Sequence, residues 1–284
     1  MTDVFNLQNV ACQYATNDYP VLRIKELSIH EGEMVFIVGA SGVGKSTALE
    51  TLGLMNNTIK KAEDSCFEYT IDDEKVDLLN IWNLNERAVA GFRRRNLSFI
   101  FQSTNLFNNL TAFQNVCIAQ IVQGIPQEKA ELNAKRLLKE MFDDKTALEI
   151  IQGKKVTELS GGQRQRLSFV RAIVTNYKVL FADEPTGNLD WSNAQRLITV
   201  LAEHVKSHSR TAVIVTHDIE LALNFADRVI LINKESEKRK DEVHVFGKVD
   251  SSSVFLKEKG NWHNPTIGKK SSSELTKYLK SQLN

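Results

Sequence analysis

The stretch GASGVGKS, residues 39–46, matches the spacing G-x-x-x-x-G-K-[ST] in full. Gly39, Gly42 and Gly44 let the backbone wrap so that successive N–H groups point inward, which is how a loop cradles phosphate oxygens. Lys45 supplies a point charge for terminal phosphates, Ser46 a hydroxyl ligand for Mg2+, and Thr47 a further phosphate contact. An apolar run precedes the loop and a helical pattern follows it, so a helix N-terminus adds to the anion site. A plain glycine turn would not need that context.

Three further polar groups each follow a short apolar run. VLFADEP, residues 179–185, ends in Asp183 and Glu184. A carboxylate at the end of a buried strand is costly unless a cation or donors meet it, so Asp183 is the expected outer partner of Mg2+. Glu184, one residue further out, is placed to act as general base on a water near the terminal phosphate, although a turn-capping carboxylate would look the same. Gln102 follows LSFIF and can serve the metal through its amide oxygen or a bound water. His217 follows TAVIV and can donate to the terminal phosphate or orient the water. Alone, a Gln or a His after a strand means little; the shared position at a sheet edge is what gives both a role.

A second glycine-containing stretch is LSGGQ, residues 159–163. With Ser160 as N-cap, Gly161 and Gly162 take the first helical positions, and Ser160 with Gln163 has capping-box spacing. Leu167, Val170 and Val174 give this helix an apolar face, with Arg164, Arg166 and Arg171 elsewhere. An ordinary capped helix explains the pattern, but a first turn bare of side chains is also an open anion site. Either the chain binds two nucleotides, or two chains share them.

Elements must bring these residues together. The runs MVFIV (34–38), LSFIF (97–101), KVLFA (178–182), TAVIV (211–215) and RVILI (228–232) are nearly continuous in apolar residues, as in strands buried on both faces of a parallel sheet. Helical patterns lie between them: STALETLGLM after the loop, 127–142 with Pro126 suited to a first turn, 193–208 and 218–226. The alternation predicts an α/β core with a mainly parallel sheet. Ligands bind such sheets beyond the carboxyl ends of the strands, so the four polar endings should meet at one edge. Residues 66–79 predict a small antiparallel patch turning at Asp72-Asp73-Glu74, and residues 103–158 an α-helical insertion. KESEKRKDE, from 234, reads as a solvated charged turn before a short strand VHVF. The final segment places Leu275, Tyr278, Leu279 and Leu283 on one helical face, with Ser271 and Glu274 at capping-box spacing.

The whole-chain properties are permissive. The 284 residues are 25% charged and 42% hydrophobic, values of an ordinary globular protein. The 36 Lys and Arg nearly balance 35 Asp and Glu, so charge points to no nucleic-acid or membrane partner. Cys12, Cys66 and Cys117 are widely spaced and odd in number, which predicts neither a disulfide framework nor a zinc site. The N-terminus lacks the pattern of a signal peptide, and no apolar run approaches the ~18 residues a span needs. Work at a membrane would need another chain to do the spanning.

The ordered set GASGVGKS, Gln102, LSGGQ, VLFADE, GNLD (187–190) and His217 resembles an ATP-binding cassette (ABC) ATPase subunit, over residues 1 to about 233. That resemblance implies a P-loop NTPase core and the cofactors ATP and Mg2+. It implies Ser41 in the phosphate loop. It also implies a head-to-tail dimer, expected to be a homodimer, in which Ser160, Gly161, Gly162 and Gln163 act on the partner's ATP. Asp190 would link the two sites, and Tyr14 would stack on adenine, with Tyr19 a competing candidate. Domain boundaries follow: an ATPase domain at 1–247 with a helical subdomain at about 103–165, and a C-terminal extension at 248–284 ending in an amphipathic helix.

ADEPTGNLD, RRRNLSFIFQSTNLFNNLTAFQNV and LGLMN are similar to the branch of lipoprotein-release, macrolide-export and cell-division ATPases. The chain departs from that branch in lacking prolines at Asn108 or Asn109 and near Val156 and Tyr177. The expected function is ATP hydrolysis that drives a separate transmembrane permease. The chain would then be cytoplasmic and held to the inner face of the membrane, with no nucleic acid and no metal cluster involved. The alternative is a non-transport ABC ATPase acting on DNA or in cell division. Chromosome-type relatives carry a long coiled coil between the two motifs, whereas the span from Lys45 to Ser160 shows no heptads.

Overall fold

The computed structural model describes residues 2–72, 74–187, 189–239 and 242–283. In chain order the strands are β1 (Asp3–Cys12), β2 (Leu22–His30), β3 (Met34–Gly39), β4 (Ile59–Lys60), β5 (Cys66–Ile71), β6 (Glu74–Asp77), β7 (Leu97–Ile100), β8 (Val179–Asp183), β9 (Thr211–Val215), β10 (Arg228–Arg239), β11 (Glu242–Val249), β12 (Val254–Glu258), β13 (Asn261–Asn264) and β14 (Gly268–Lys270). The helices are α1 (Lys45–Leu52), α2 (Glu86–Asn96), α3 (Ala112–Val122), α4 (Gln127–Met141), α5 (Asp144–Ile151), α6 (Gly161–Ile173), α7 (Trp191–Ser207), α8 (Ile219–Phe225) and α9 (Ser272–Leu283).

The sheet runs β6-β5-β1-β2-β11-β10-β3-β9-β8-β7. From β10 to β7 all neighbours are parallel, so the carboxyl ends of β3, β9, β8 and β7 share one edge. Side chains alternate between two cores. Met34, Phe36 and Val38 face one cluster with Leu180, Ala182 and Ile214. Val35 and Ile37 face the other with Phe181, Val213 and Val215. Burial on both faces is why these strands read as continuous apolar runs.

β1, β2, β5 and β6 pair antiparallel, a larger region than the 66–79 patch expected from sequence. The hairpin of β5 and β6 lies where that patch was expected; Asp73, in its turn, lies outside the described residues. Between β7 and β8 come α3, α4, α5 and α6. α6 continues to Ile173, past the expected subdomain limit near 165.

The described part of the charged run from 234 is strand rather than turn. Lys234–Arg239 extend β10, paired with β11 from Asn233↔Lys248 to Arg239↔Glu242; Lys240 and Asp241 lie outside the described residues. A strand whose outward side chains are charged loses little to solvent, and cross-strand pairs such as Lys248 Nζ to Glu235 Oε1 at 2.9 Å favour it.

The chain beyond 247 is woven into the sheet. The expected boundary falls within β11, and β12 pairs with β10. Trp262, Leu275 and Leu279 are fully buried in the same cluster as Phe36. The Trp262 indole donates to Ser272 Oγ at 3.2 Å, at the start of α9. Ser271 and Glu274 form the expected capping box. Trp262→Ala should therefore cost about 3–5 kcal/mol, the usual loss for an aromatic core truncation. Chemical denaturation should show it as a lower midpoint of one cooperative transition. A cost below about 1 kcal/mol would mean that the C-terminal segment folds apart from the core.

Candidate functional site

The phosphate loop leaves β3 at Gly39 and enters α1 at Lys45. Gly42 and Gly44 have φ of 73° and 96°, the left-handed region that glycine enters without a Cβ clash. A Cβ on Gly44 would also lie 3.3 Å from the Val21 carbonyl. The loop is pressed from below by β11. A Cβ on Gly247 would lie 2.1 Å from the Val43 carbonyl, so this position too must be glycine, a constraint that its place in a strand gives no sign of in sequence.

Lys45 is buried and donates to the carbonyls of Gly39 at 2.9 Å and Ala40 at 2.8 Å. Burial pulls its ammonium below the ordinary lysine value, against the opposing charges of Glu184 and Asp183. Burial pushes Asp183 above the usual carboxylate value, and Glu184 adds to this; a hydrogen bond with Ser46 and the charges of Lys45 and His217 pull the other way. Two hard oxygen donors, Ser46 and Asp183, thus meet at a carboxylate that burial leaves short of positive charge. That donor set fits Mg2+.

The strand ends are stitched laterally. Thr216 N–H donates to Ile37 O at 3.2 Å, and Glu184 N–H to Val215 O at 3.0 Å. Glu184 has φ of 46°, which is unusual for a residue with a side chain. Its carboxylate is held on both oxygens: Gln102 Nε2 donates to Oε2 at 3.3 Å, and His217 Nε2 lies 2.5 Å from Oε1. The Glu184 side chain is 18% exposed and that of His217 61%, so the imidazole stands at the mouth of the site. Gln102, Lys45, Asp183, Glu184 and His217 thus form one cluster although 172 positions separate Lys45 from His217 (217 − 45).

Tyr14 joins the cluster from the loop after β1, its hydroxyl 3.1 Å from Thr47 Oγ1. The competing Tyr19 is engaged elsewhere, with its ring centroid 3.9 Å from that of His244. Ser41 on the loop and Ser46 in the first turn of α1 are exposed. LSGGQ forms the expected capping box, with Gln163 N–H donating to Ser160 Oγ at 3.2 Å and Ser160 N–H to Gln163 Oε1 at 2.9 Å. Open space surrounds Gly161, and Leu189 lies 3.5 Å from a Cβ on Gly162. Asp190 caps α7, accepting from Asn193 N–H at 3.0 Å, and that bond holds its carboxyl below the usual range. Among the described residues, no hydrogen bond joins LSGGQ or Asp190 to the phosphate loop. Asn188 of GNLD lies outside the described residues.

Two contacts of α6 were not legible in sequence. Arg171 donates to the carbonyls of Asn105 at 2.7 Å and Thr104 at 2.9 Å, just past Gln102. Gln165 donates to the carbonyl of Pro185, just past Glu184. α6 is buried on several sides, including Gln165, Phe169 and Ala172, so one apolar stripe did not reveal them.

A phosphate loop at the carboxyl edge of a parallel sheet, with Asp-Glu, Gln and His on adjacent strand ends, defines a nucleotide-hydrolysing cassette. The ABC transporter family profile matches residues 22–187, and the chain belongs to that family. It is 36% identical over 214 residues to the lipoprotein-releasing system ATP-binding protein LolD of Pseudoalteromonas translucida, covering 75% of this chain and 85% of LolD. It is 36% identical over 235 residues to the macrolide export ATP-binding/permease protein MacB of Escherichia coli K12, covering 82% of this chain but 33% of MacB. The fold matches the ATP-binding cassette MJ0796, solved as a dimer in a post-hydrolysis state bound to ADP and Pi. The TM-score is 0.65 with 30% identity, over 80% of this chain and 93% of that one. The chain is an ATP-hydrolysing cassette of the transporter class, consistent with the lipoprotein-release and macrolide-export branch.

Gly44→Ala forces a left-handed alanine at a cost of about 1–2 kcal/mol. ATP affinity should fall about tenfold in a titration with a fluorescent ATP analogue, with the far-UV spectrum unchanged.

Proposed function

We propose that two copies of this chain close on two ATP molecules, and that closing and reopening drive a separate membrane permease. The observation that carries this is the Glu184 carboxylate held between Gln102 and His217, beside Lys45 and Asp183. In this reading the phosphate loop, from Gly39 through Ser41, Gly42 and Gly44 to Thr47, binds the phosphates. Lys45 exchanges its loop carbonyls for terminal phosphate oxygens, and Tyr14 stacks on adenine. Ser46 and Asp183, with Gln102, would hold Mg2+, which supplies charge neutralisation at the phosphates. Glu184 takes the proton of the attacking water. Gln102 and His217, now on the carboxylate, turn to the terminal phosphate and free Glu184 to act.

The turn at Ser160–Gln163 is bare and open, and its contacts lie within its own helix start. A phosphate from a second chain fits that anion site, with Asp190 near the crossing between the two sites. Among the described residues no helix is long and apolar enough to cross a membrane, and in this reading the permease subunits do the spanning. The cassette would work at the cytoplasmic face of that permease. The names of LolD and MacB favour export or mechanical work on an extracytoplasmic lipoprotein, peptide or drug over a role on DNA.

Glu184→Gln should lower ATP turnover by about 10²–10⁴, the usual worth of a general base, while ATP still binds and a dimer accumulates in light scattering. Unreduced turnover would sink the assignment. Gly161→Asp tests the shared site separately. The monomer has room for the side chain, so ATP affinity of the isolated chain should hold while closure and hydrolysis are lost through charge repulsion with the partner's phosphate. Loss of ATP binding by the isolated chain would place LSGGQ in the wrong site.

A further inference from the structure

Gln165 lies on α6, five positions after Ser160, and is 5% exposed. Its Nε2 donates to the Pro185 carbonyl, while its Oε1 is buried without a donor among the described residues. A half-satisfied buried amide is a poor device for stability; an apolar side chain of the same size would fill the space as well. What the amide does, and an apolar group cannot, is grip the residue after Glu184.

Glu184 needs holding. Its φ of 46° belongs to a region that side-chain-bearing residues leave unless their surroundings over-determine the backbone. Two restraints are main-chain bonds: Glu184 N–H to Val215 O at 3.0 Å, and Gly187 N–H to Glu184 O at 3.2 Å. The grip of Gln165 on Pro185 is a third, and it comes from a different element.

We propose that Gln165 is a positioning residue for Glu184, through which α6 sets the backbone that aims the general base. This rests on the reading of Glu184 as that base. The consequence is directional. α6 begins at the bare turn proposed to meet the partner's ATP, and less than two helical turns later it holds the Glu184 segment of its own chain. Engagement of phosphate at one site is thereby transmitted mechanically to the base of the other.

Gln165→Met keeps the volume, removes one unpaired acceptor and creates another at Pro185, so the thermal midpoint should shift by less than about 3 °C. Turnover should fall at least about tenfold, with the ATP affinity of the isolated chain unchanged within about twofold. In an E184Q background the same substitution should lower single-turnover hydrolysis less than about twofold, because the base it positions is already gone. Normal turnover in Gln165→Met, or an equal loss in both backgrounds, overturns the proposal and leaves the general-base reading standing. Full turnover by E184Q alone overturns both. Hydrogen exchange gives an independent measure in the full chain: the Gly187 amide should exchange faster in Gln165→Met, and unchanged protection there counts against the grip.

Discussion

The register between neighbouring parallel strands is the constraint on which the site depends. β3, β9, β8 and β7 all point the same way, and each ends within one residue of where its apolar run stops. Just beyond these runs the chain leaves the two cores, and polar groups such as Gln102, Asp183, Glu184 and Thr216 follow at that edge. Thr216 bonds to Ile37 and Glu184 to Val215, which fixes the ends of β3, β9 and β8 relative to one another to within a hydrogen-bond length. A slip of two residues in β8 against β9 would keep every apolar side chain on its own face yet carry Asp183 and Glu184 away from His217. The packing of two cores therefore secures the sheet, and the last backbone bonds secure the chemistry.

The site concentrates charge that a stable fold would rather avoid. Lys45 and Asp183 are both displaced from their ordinary values by burial, in the directions that favour their neutral forms. Glu184 adds negative charge to the same space, and is held by Gln102 and His217. Lys45 donates to the Gly39 and Ala40 carbonyls of its own loop. Such an arrangement suits a ligand that brings anion and cation together, as the proposed nucleotide with Mg2+ would.

Local signals were most legible where they were both dense and short-range. The phosphate loop, the Ser160 capping box and the core strands could be placed because glycine spacing, capping spacing and continuous apolar runs each have a local cause. In the charged hairpin after 233 a dense run of charge resembles a turn signal, whereas its strands gain from pairing across the hairpin and from solvent outside it. The C-terminal segment read as an addition because its composition shifts. Its buried Trp262, Leu275 and Leu279 show that a few apolar residues are enough to join it to the main core. Gln165 and Gly247 gave no signal, since what matters at each is one atom of a distant segment.

By itself the sequence determined which residues could do phosphate chemistry, because that depends on side-chain type and on spacing within a single loop or helix start. It also determined that the strands alternate with helices, because burial on two faces leaves continuous apolar runs. Only the tertiary structure decided which of these residues meet. Gln102 and His217 converge on Glu184, and Tyr14 rather than Tyr19 reaches Thr47, through strand order and register that no local pattern encodes. LSGGQ stays engaged in its own cap, apart from the phosphate loop of the same chain. The physical reason is the same in each case: contact across a sheet edge is set by the alignment of whole elements, and that alignment is fixed by their summed packing.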